Sequence, residues 1–286
     1  MMRTRHPLRD FASSQPLGTT ALMFLMLFLL LAIFAERIAP YDPVEVDFAA
    51  MLSGPTREHW FGTDAFGRDI LSRVIYGART ALGIGILASG IGCTLGSIIG
   101  VASAYFGGKT DLIVQRFVDM LLAFPIVVLA LVVAASLGRM PVLGIDLNLV
   151  VAIAIPIIPK VARVVRSAAL GVRAMAYIDA ARTAGFSHVR IVLRHMLPNV
   201  MGPILVLATA YVAQAILLEA ALSFLGLGVT EPTPAWGLML AGNATDFYRE
   251  APWVVIFPGL AVTLVVLAFN TFGDALRDFL DPKLDS

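Results

Sequence analysis

The chain has 286 residues, 58% hydrophobic and 14% charged, with a formal net charge of +1 and a mean hydropathy of +0.84. Soluble globular chains carry about 45–50% apolar and about 25% charged residues, so an ordinary cytosolic enzyme with one packed core is excluded, as is a disordered chain, which needs few apolar residues and high net charge. There is no basic field for nucleic acid, and the length is counted in membrane spans.

Residues 17–35 form a run of 19 residues without a charge. At about 1.5 Å per residue such a helix nearly crosses a hydrocarbon core of about 30 Å. A cleaved signal peptide is the rival reading, because Arg3, Arg5 and Arg9 precede the run. Signal cores are usually about 7–15 residues long and end in a small-x-small site. Ile33-Phe34-Ala35 fits that poorly, and a retained span is preferred.

Further spans are expected at 80–106, 120–137, 147–166, 200–222 and 253–273. These runs are too long and too uniformly apolar for barrel strands, which are about 9–11 residues of alternating polarity. The fourth is the weakest, with Pro156, Pro159 and Lys160 inside it. It is expected to continue as a helix past the membrane surface through Arg163 and Arg166. Lys160 reads as a side chain that snorkels to the cytoplasmic surface.

The positive-inside rule sets the orientation. With the N-terminus in the cytoplasm, 14 of the 21 Lys and Arg fall on inner segments. The stretch 160–199 alone carries seven of them and one acid, Asp179. Both ends are then cytoplasmic: tails at 1–16 and 274–286, and an external loop at 36–79 that holds seven acids against five bases. The expected architecture is an all-α membrane protein of six transmembrane helices, with a core domain over 80–273.

The second span carries small residues four apart: Ala88, Gly92, Gly96, Gly100 and Ala104. A neighbouring stripe reads Gly85, Ser89, Cys93, Ser97. Such residues share a helix face and let another backbone approach closely. Packing inside the chain's own bundle is the preferred reading and a subunit interface the alternative. Cys93 fits as a small packing residue. A single cysteine makes no internal disulfide, and His6, His59, His188 and His195 form no ligand pair; no metal site is expected.

Polar groups in the apolar runs are few. Arg116 and Asp119 flank the third span, Gln214 and Glu219 lie in the fifth, and Asn270 in the sixth. Intramembrane ionisable residues are by default functional candidates. Gln214 and Glu219 are thus candidates for a pathway or gate. A solvated or capped carboxylate is an equal reading for Glu219, near the outer end of its span.

No energy source is readable in the chain. Gly108-Lys109-Thr110 resembles the end of a phosphate loop, but the required glycine five positions earlier is Ser103. Proton relays use chains of Asp, Glu or His in spans, and Glu219 alone qualifies clearly. No Gly-x-Ser-x-Gly elbow or metal-ligand cluster points to hydrolysis. Asn243-Ala-Thr245 matches a glycosylation sequon by pattern alone.

The most informative stretch is the inner loop 171–199, within it Tyr177 to Asn199. A helix-favouring run, Asp179-Ala180-Ala181-Arg182, leads to Gly185, which is able to turn the chain at a helix end. Ser187 can cap the next, basic helix, and Pro198 is expected to stop it and start the fifth span. Ala180, Ala181 and Ala184 leave one side with little bulk, suited to another protein's cleft. An ordinary basic inner loop is the alternative on composition alone.

The spacing Asp179-Ala-Ala-x3-Gly185-x9-His195-x-Leu197-Pro198 resembles the EAA loop of ABC-importer permeases. Asp179 stands where the general motif has Glu, and His195 where it often has Ile. The His-x-Leu-Pro-Asn ending resembles the peptide and nickel branch. So do His59-Trp60-Phe61-Gly62-Thr63-Asp64 with Gly67-Arg68-Asp69, Ser72-Arg73 and Gly77-Ala78-Arg79; Gly107-Gly108 with Asp111, Arg116, Asp119 and Phe124-Pro125; and Glu219-Ala220-x-Leu222 to Gly228 with Pro232, Pro234 and Trp236-Gly237. The resemblance spans roughly 17–283 and points to the second, C-type permease subunit of a dipeptide, oligopeptide or related importer in a prokaryotic inner membrane.

The resemblance implies the type I importer permease fold and a non-catalytic subunit. It implies a heterodimer with a homologous permease, two cytoplasmic ABC ATPases and an extracytoplasmic binding protein, the whole embedded in lipid. ATP and Mg would sit on the partners and no cofactor on this chain. Tyr177, Asp179, Ala180, Ala181, Arg182, Gly185, His195, Leu197 and Pro198 would form the ATPase-coupling loop. Arg182 would pair with acids on the ATPase or stand solvated. The outer loops 36–79 and 223–252 would receive the binding protein, with Trp60, Phe61, Phe66, Trp236 and Phe247 as contact candidates. Trp253 reads instead as a membrane-interface anchor. Peptides are the expected substrates, with nickel chelates, glutathione or oligosaccharides as alternatives. The rival class is an ion-driven carrier or channel.

Overall fold

The computed structural model describes residues 7–142 and 145–280. Arg3, Arg5 and Lys283 lie outside the described residues, as do the side chains of Arg9, Asn243 and Thr245. The chain begins with α1 (Pro7–Ser14), α2 (Pro16–Ile33) and α3 (Ala35–Ile38). α2 is the first span; it packs on the second and last spans and leaves Met23, Phe24 and Leu27 exposed as an apolar outer surface.

The second span, α4 (Ile70–Phe106), begins ten residues before the expected boundary. Arg73 and Arg79 depress the local hydropathy, but each donates to a backbone carbonyl. Arg73 Nη1 donates to the Pro43 carbonyl at 3.0 Å, and Arg79 Nε to that of Ala32 at 3.0 Å. Asp69 caps the helix by accepting from the Ser72 amide at 2.8 Å. At 37 residues, α4 is about 55 Å long and projects beyond a hydrocarbon core of about 30 Å.

The third span is not the straight helix expected over 120–137. α5 (Gly108–Leu122) and α6 (Ile126–Leu137) meet at 91° across Ala123-Phe124-Pro125. Proline has no amide hydrogen, and its ring drives the preceding residue out of helical geometry. α6 has 12 residues, about 18 Å of rise. After a minimal hairpin, Pro141–Val142 with Ile145–Asp146, comes α7 (Leu147–Arg173). α7 runs seven residues past the expected end, with Pro156 and Pro159 inside it.

The inner loop holds α8 (Ala176–Thr183) and α9 (His188–Ile191). A π-helical turn, Val192–Met196, leads into α10 (Leu197–Phe224). Pro198 therefore does not stop a helix. The wider π turn accommodates it where a regular turn would clash with the carbonyl four residues back. α11 (Trp236–Met239), α12 (Asn243–Phe247) and α13 (Trp253–Leu280) complete the chain. Among the described residues five helices are long and apolar enough to span a membrane, and up to six spans result if the bent α5–α6 pair is taken as one.

α4 is the centre of the bundle, and its two small-residue stripes meet two different helices. A Cβ at Gly92, Gly96 or Gly100 would stand 2.7, 2.7 or 2.6 Å from Ile157, the Ile158 carbonyl or the Ala162 carbonyl, all on α7. Ala88 and Ala104 on the same stripe are fully buried. A Cβ at Gly85 would stand 2.7 Å from Ile216, and Ser89 Oγ donates to the Ala208 carbonyl at 3.1 Å, both on α10. The ladder is consumed by packing within the chain. Cys93 is buried in that packing.

Candidate coupling site

The inner loop folds into two short helices that turn back on themselves. Gly185 takes φ +76°, the left-handed conformation that favours glycine. Ser187 accepts from the Arg190 amide at 3.4 Å and caps α9, as the sequence suggests. Ile178 and Ala181, three apart on one face of α8, are buried in the main core with Ile191 and Met196. That phase turns Tyr177, Asp179, Ala180 and Arg182 outward, with Thr183, Ala184 and Gly185 also exposed. Ala181 therefore does not share the low-bulk outer side with Ala180 and Ala184. No atom outside its own turn lies within 4 Å of a Cβ placed at Gly185.

The loop rests on the inner end of α4. Tyr105 is 3% exposed, and its hydroxyl is hydrogen-bonded to His188 Nδ1 at 2.7 Å. The Arg182 guanidinium lies 5.0 Å above the Tyr105 ring. Arg182 is also 3.4 Å from Asp179, so its charge is engaged within the chain. His195 stacks on Phe186 with centroids 5.9 Å apart. Leu197 and Pro198 open α10, and Asn199 Nδ2 donates to the His195 carbonyl at 2.8 Å.

A clamp joins this seat to the transmembrane helices. Arg166 of α7 donates from Nε and Nη2 to both oxygens of Asp111 on α5, at 2.6 and 2.5 Å. Asp111 also accepts from Ser103 of α4, and Arg173 Nη1 donates to the Ala104 carbonyl at 2.7 Å. Arg163 pairs with Asp119. Asp111, Asp119, Arg163 and Arg166, read separately from sequence, thus converge on one inner layer.

The outer face is a compact loop over 39–69. Asp69 accepts from Ser72 Oγ at 2.7 Å and faces His59 Nδ1 at 3.0 Å. Trp253 opens α13 and donates from Nε1 to the Thr63 carbonyl at 3.1 Å, which pins this loop. Trp236 is fully buried and donates to the Val74 carbonyl at 2.9 Å, which removes it from the surface. Phe61 stacks on Phe257 at 3.9 Å and Phe247 is half-buried, whereas Trp60 and Phe66 stand exposed. Burial disfavours the charge of Arg68, but hydrogen bonds and charge from Glu231 and Asp64 hold its pKa above the ordinary value.

Glu219 is fully buried, so the solvated reading does not apply. Ser223 Oγ donates to Glu219 Oε1 at 2.7 Å and accepts from the Val229 amide at 3.0 Å. Gln214, five residues earlier on α10, is half-buried. Among the described residues no group of three His, Cys, Asp or Glu side chains is placed to hold a metal ion.

The residues that sequence reasoning missed are Tyr105, His188, Ile178 and Met196. Ile178 and Ala181 were readable as a helical pair three apart. Tyr105 and His188 are 83 residues apart, and no local pattern links them.

Comparison with known proteins agrees with this architecture. Residues 92–286 match the family model described as binding-protein-dependent transport system inner membrane component. Residues 12–55 match the N-terminal TM domain of oligopeptide transport permease C. The chain is 43% identical over 270 residues to the dipeptide transport system permease protein DppC of Alkalihalophilus pseudofirmus, covering 94% of this chain and 87% of that one. It is 44% identical over 271 residues to the glutathione transport system permease protein GsiD of Escherichia coli, covering 94% and 88%. Its fold is similar to that of the MetNI methionine ABC transporter in an inward-facing conformation, with a TM-score of 0.59, 17% identity, and coverage of 74% of this chain and 98% of that one. The chain belongs to the binding-protein-dependent transport system inner membrane components, and is a multi-pass permease of the ABC importer type I fold in a prokaryotic inner membrane.

Proposed function

We propose that this permease pairs with a homologous permease and that the passage for peptides lies between the two. Two cytoplasmic ABC ATPases bind ATP and Mg and dock on the inner loop. An extracytoplasmic binding protein docks on the outer loops. The chain itself carries no catalytic group and no cofactor. The observation that carries the reading is the inner loop: α8 is anchored by Ile178 and Ala181 and presents Tyr177, Asp179, Ala180 and Arg182 outward. A face fixed from behind and open in front suits a docked lever.

The chemistry requires such a lever. A ligand shifts a two-state equilibrium only through different affinity for the two states, and ATP on the partners supplies that difference. Two residues, Ala174 and Met175, join α7 to α8, and α9 runs through the π turn into α10. A push on α8 therefore reaches two membrane-crossing helices without a slack linker. Gln214 contributes to the passage wall. Glu219, through Ser223 and Val229, fixes the outer segment that follows α10 and so belongs to the outer gate.

Peptide chemistry is supported by the relatives, a dipeptide and a glutathione permease by name. The same machinery would serve a nickel chelate or an oligosaccharide. Ala180→Trp tests the coupling reading. The side chain is outward and exposed, so the variant inserts and folds. Loss of substrate-stimulated ATP hydrolysis by the assembled importer is expected; normal coupling in a well-inserted variant would overturn the assignment.

A further inference from the structure

A cleft of about 280 Å³ opens on the outer face, lined by Asp64, Phe66, Arg68, Arg73, Glu231 and apolar side chains of α11 and α13. Its charged lining is two arginines paired with two carboxylates, and Asp64 lies 3.8 Å from Arg73 Nε. The Arg73 side chain is 1% exposed, and its Nε has no hydrogen-bond acceptor. The Arg68 side chain is 10% exposed and donates from Nε to Asp64 at 2.7 Å. Asp64 is the counter-charge supplied by the same loop as Arg68. The second comes from 163 residues away: Glu231 takes Arg68 Nη1 at 2.6 Å and Nη2 at 3.3 Å, and lies 3.6 Å from Arg73 Nη2. Its side chain is 48% exposed.

Glu231 is not needed to hold its own loop. Trp236 donates to the Val74 carbonyl, Thr80 Oγ1 donates to the Pro234 carbonyl at 2.9 Å, and the Val229 amide donates to Ser223. These three hydrogen bonds tie the loop to α4 and α10 without using the Glu231 carboxylate. With Glu231 displaced, two buried guanidinium groups with one fixed carboxylate present a net positive notch of the two-pronged geometry that suits a carboxylate. Exposed Phe66 and Trp60 stand on the same loop, aromatic residues of the kind that anchor protein interfaces.

We propose that this notch receives an aspartate or glutamate side chain of the extracytoplasmic binding protein, which displaces Glu231 from Arg68 and Arg73 on docking. The proposal rests on the reading that such a protein docks on the outer loops. Glu231 acts as a placeholder. It keeps the buried guanidinium groups paired in the free permease and lowers the apparent affinity of docking by the fraction of time it occupies them.

The test uses the whole importer in nanodiscs, titrated with the purified binding protein of the same transport system, loaded with dipeptide. ATP hydrolysis reports docking. Glu231→Gln removes the competitor and lowers the half-saturating concentration of binding protein by about tenfold, and Arg68→Gln raises it by about tenfold, the scale of a desolvated interfacial charge pair. A misfolded variant does not gain affinity, so the Glu231→Gln result stands apart from folding. Glu231→Asp, one methylene shorter, moves in the same direction by less. Stimulation of wild type with an unchanged or raised half-saturating concentration for Glu231→Gln overturns the exchange and leaves docking intact. Stimulation of Glu231→Gln by dipeptide alone overturns it too, because the carboxylate is then the substrate's. No stimulation of wild type by the binding protein overturns the docking reading and the exchange together.

Discussion

Tyr105 at the inner end of α4 and His188 in the first turn of α9 share a hydrogen bond of 2.7 Å between hydroxyl and Nδ1. The bond fixes the loop that faces the cytoplasm to the central helix of the bundle. Tyr105 is buried and His188 is exposed, so the bond lies at the edge of the core. A force applied at α8 or α9 meets α4 directly.

Tyr105→Phe removes that bond and little else. A net loss of about 1 kcal/mol in stability is expected, the usual net worth of one internal hydrogen bond. The larger effect falls on coupling. Reconstituted importer should hydrolyse ATP but move several-fold less substrate per ATP. An unchanged ratio of transport to hydrolysis would show that the seat carries no force.

The α4 ladder gives a stability contrast. A Cβ at Gly96 would lie 2.7 Å from the Ile158 carbonyl and from Val161 Cβ. Gly96→Leu is expected to abolish the folded protein on size exclusion in detergent. Gly90 has open space around its Cβ position. Gly90→Ala should be neutral or stabilising by about 0.5–1 kcal/mol, since alanine favours the helix interior.

Arg166 and Asp111 are an interacting pair by geometry, with two hydrogen bonds between them. Arg166→Met and Asp111→Asn should each lower the melting temperature. The double variant should lose less than the two losses combined, by a coupling of about 0.5–3 kcal/mol. Strict additivity in thermal unfolding would show that the clamp does not join α5 to α7.

Glu219 separates the importer from an ion-driven carrier. Glu219→Gln keeps an acceptor for Ser223, so the fold and ATP-driven uptake should persist. Glu219→Ala leaves the buried Ser223 hydroxyl without that acceptor and opens a cavity. A loss of about 2–4 kcal/mol is expected. Uptake abolished by Glu219→Gln in a well-folded importer would point to the carboxylate as an ion carrier.

Legibility in the sequence followed the range of the forces involved. The small-residue ladder and the Gly185 turn are local, and both were readable. The start of α4 was obscured because hydropathy penalises Arg73 and Arg79, although Asp69 and Ser72 formed a visible cap. Hydropathy also concealed the break at Phe124-Pro125, since both flanks are apolar; the proline was the signal. The inward turn of Ala181 required helical phase from Ile178, and the burial of Trp236 depended on contacts across more than 150 residues. Tyr105 with His188, and Arg68 with Glu231, are pairs that only the folded chain brings together.

The most direct test is purification of a tagged chain in mild detergent, with Ala180→Trp beside it. Wild type should bring down a second six-span permease and an ABC ATPase, and the variant should retain the permease and lose the ATPase. Recovery of the wild-type chain alone, moving a solute down an ion gradient in vesicles, would contradict the account.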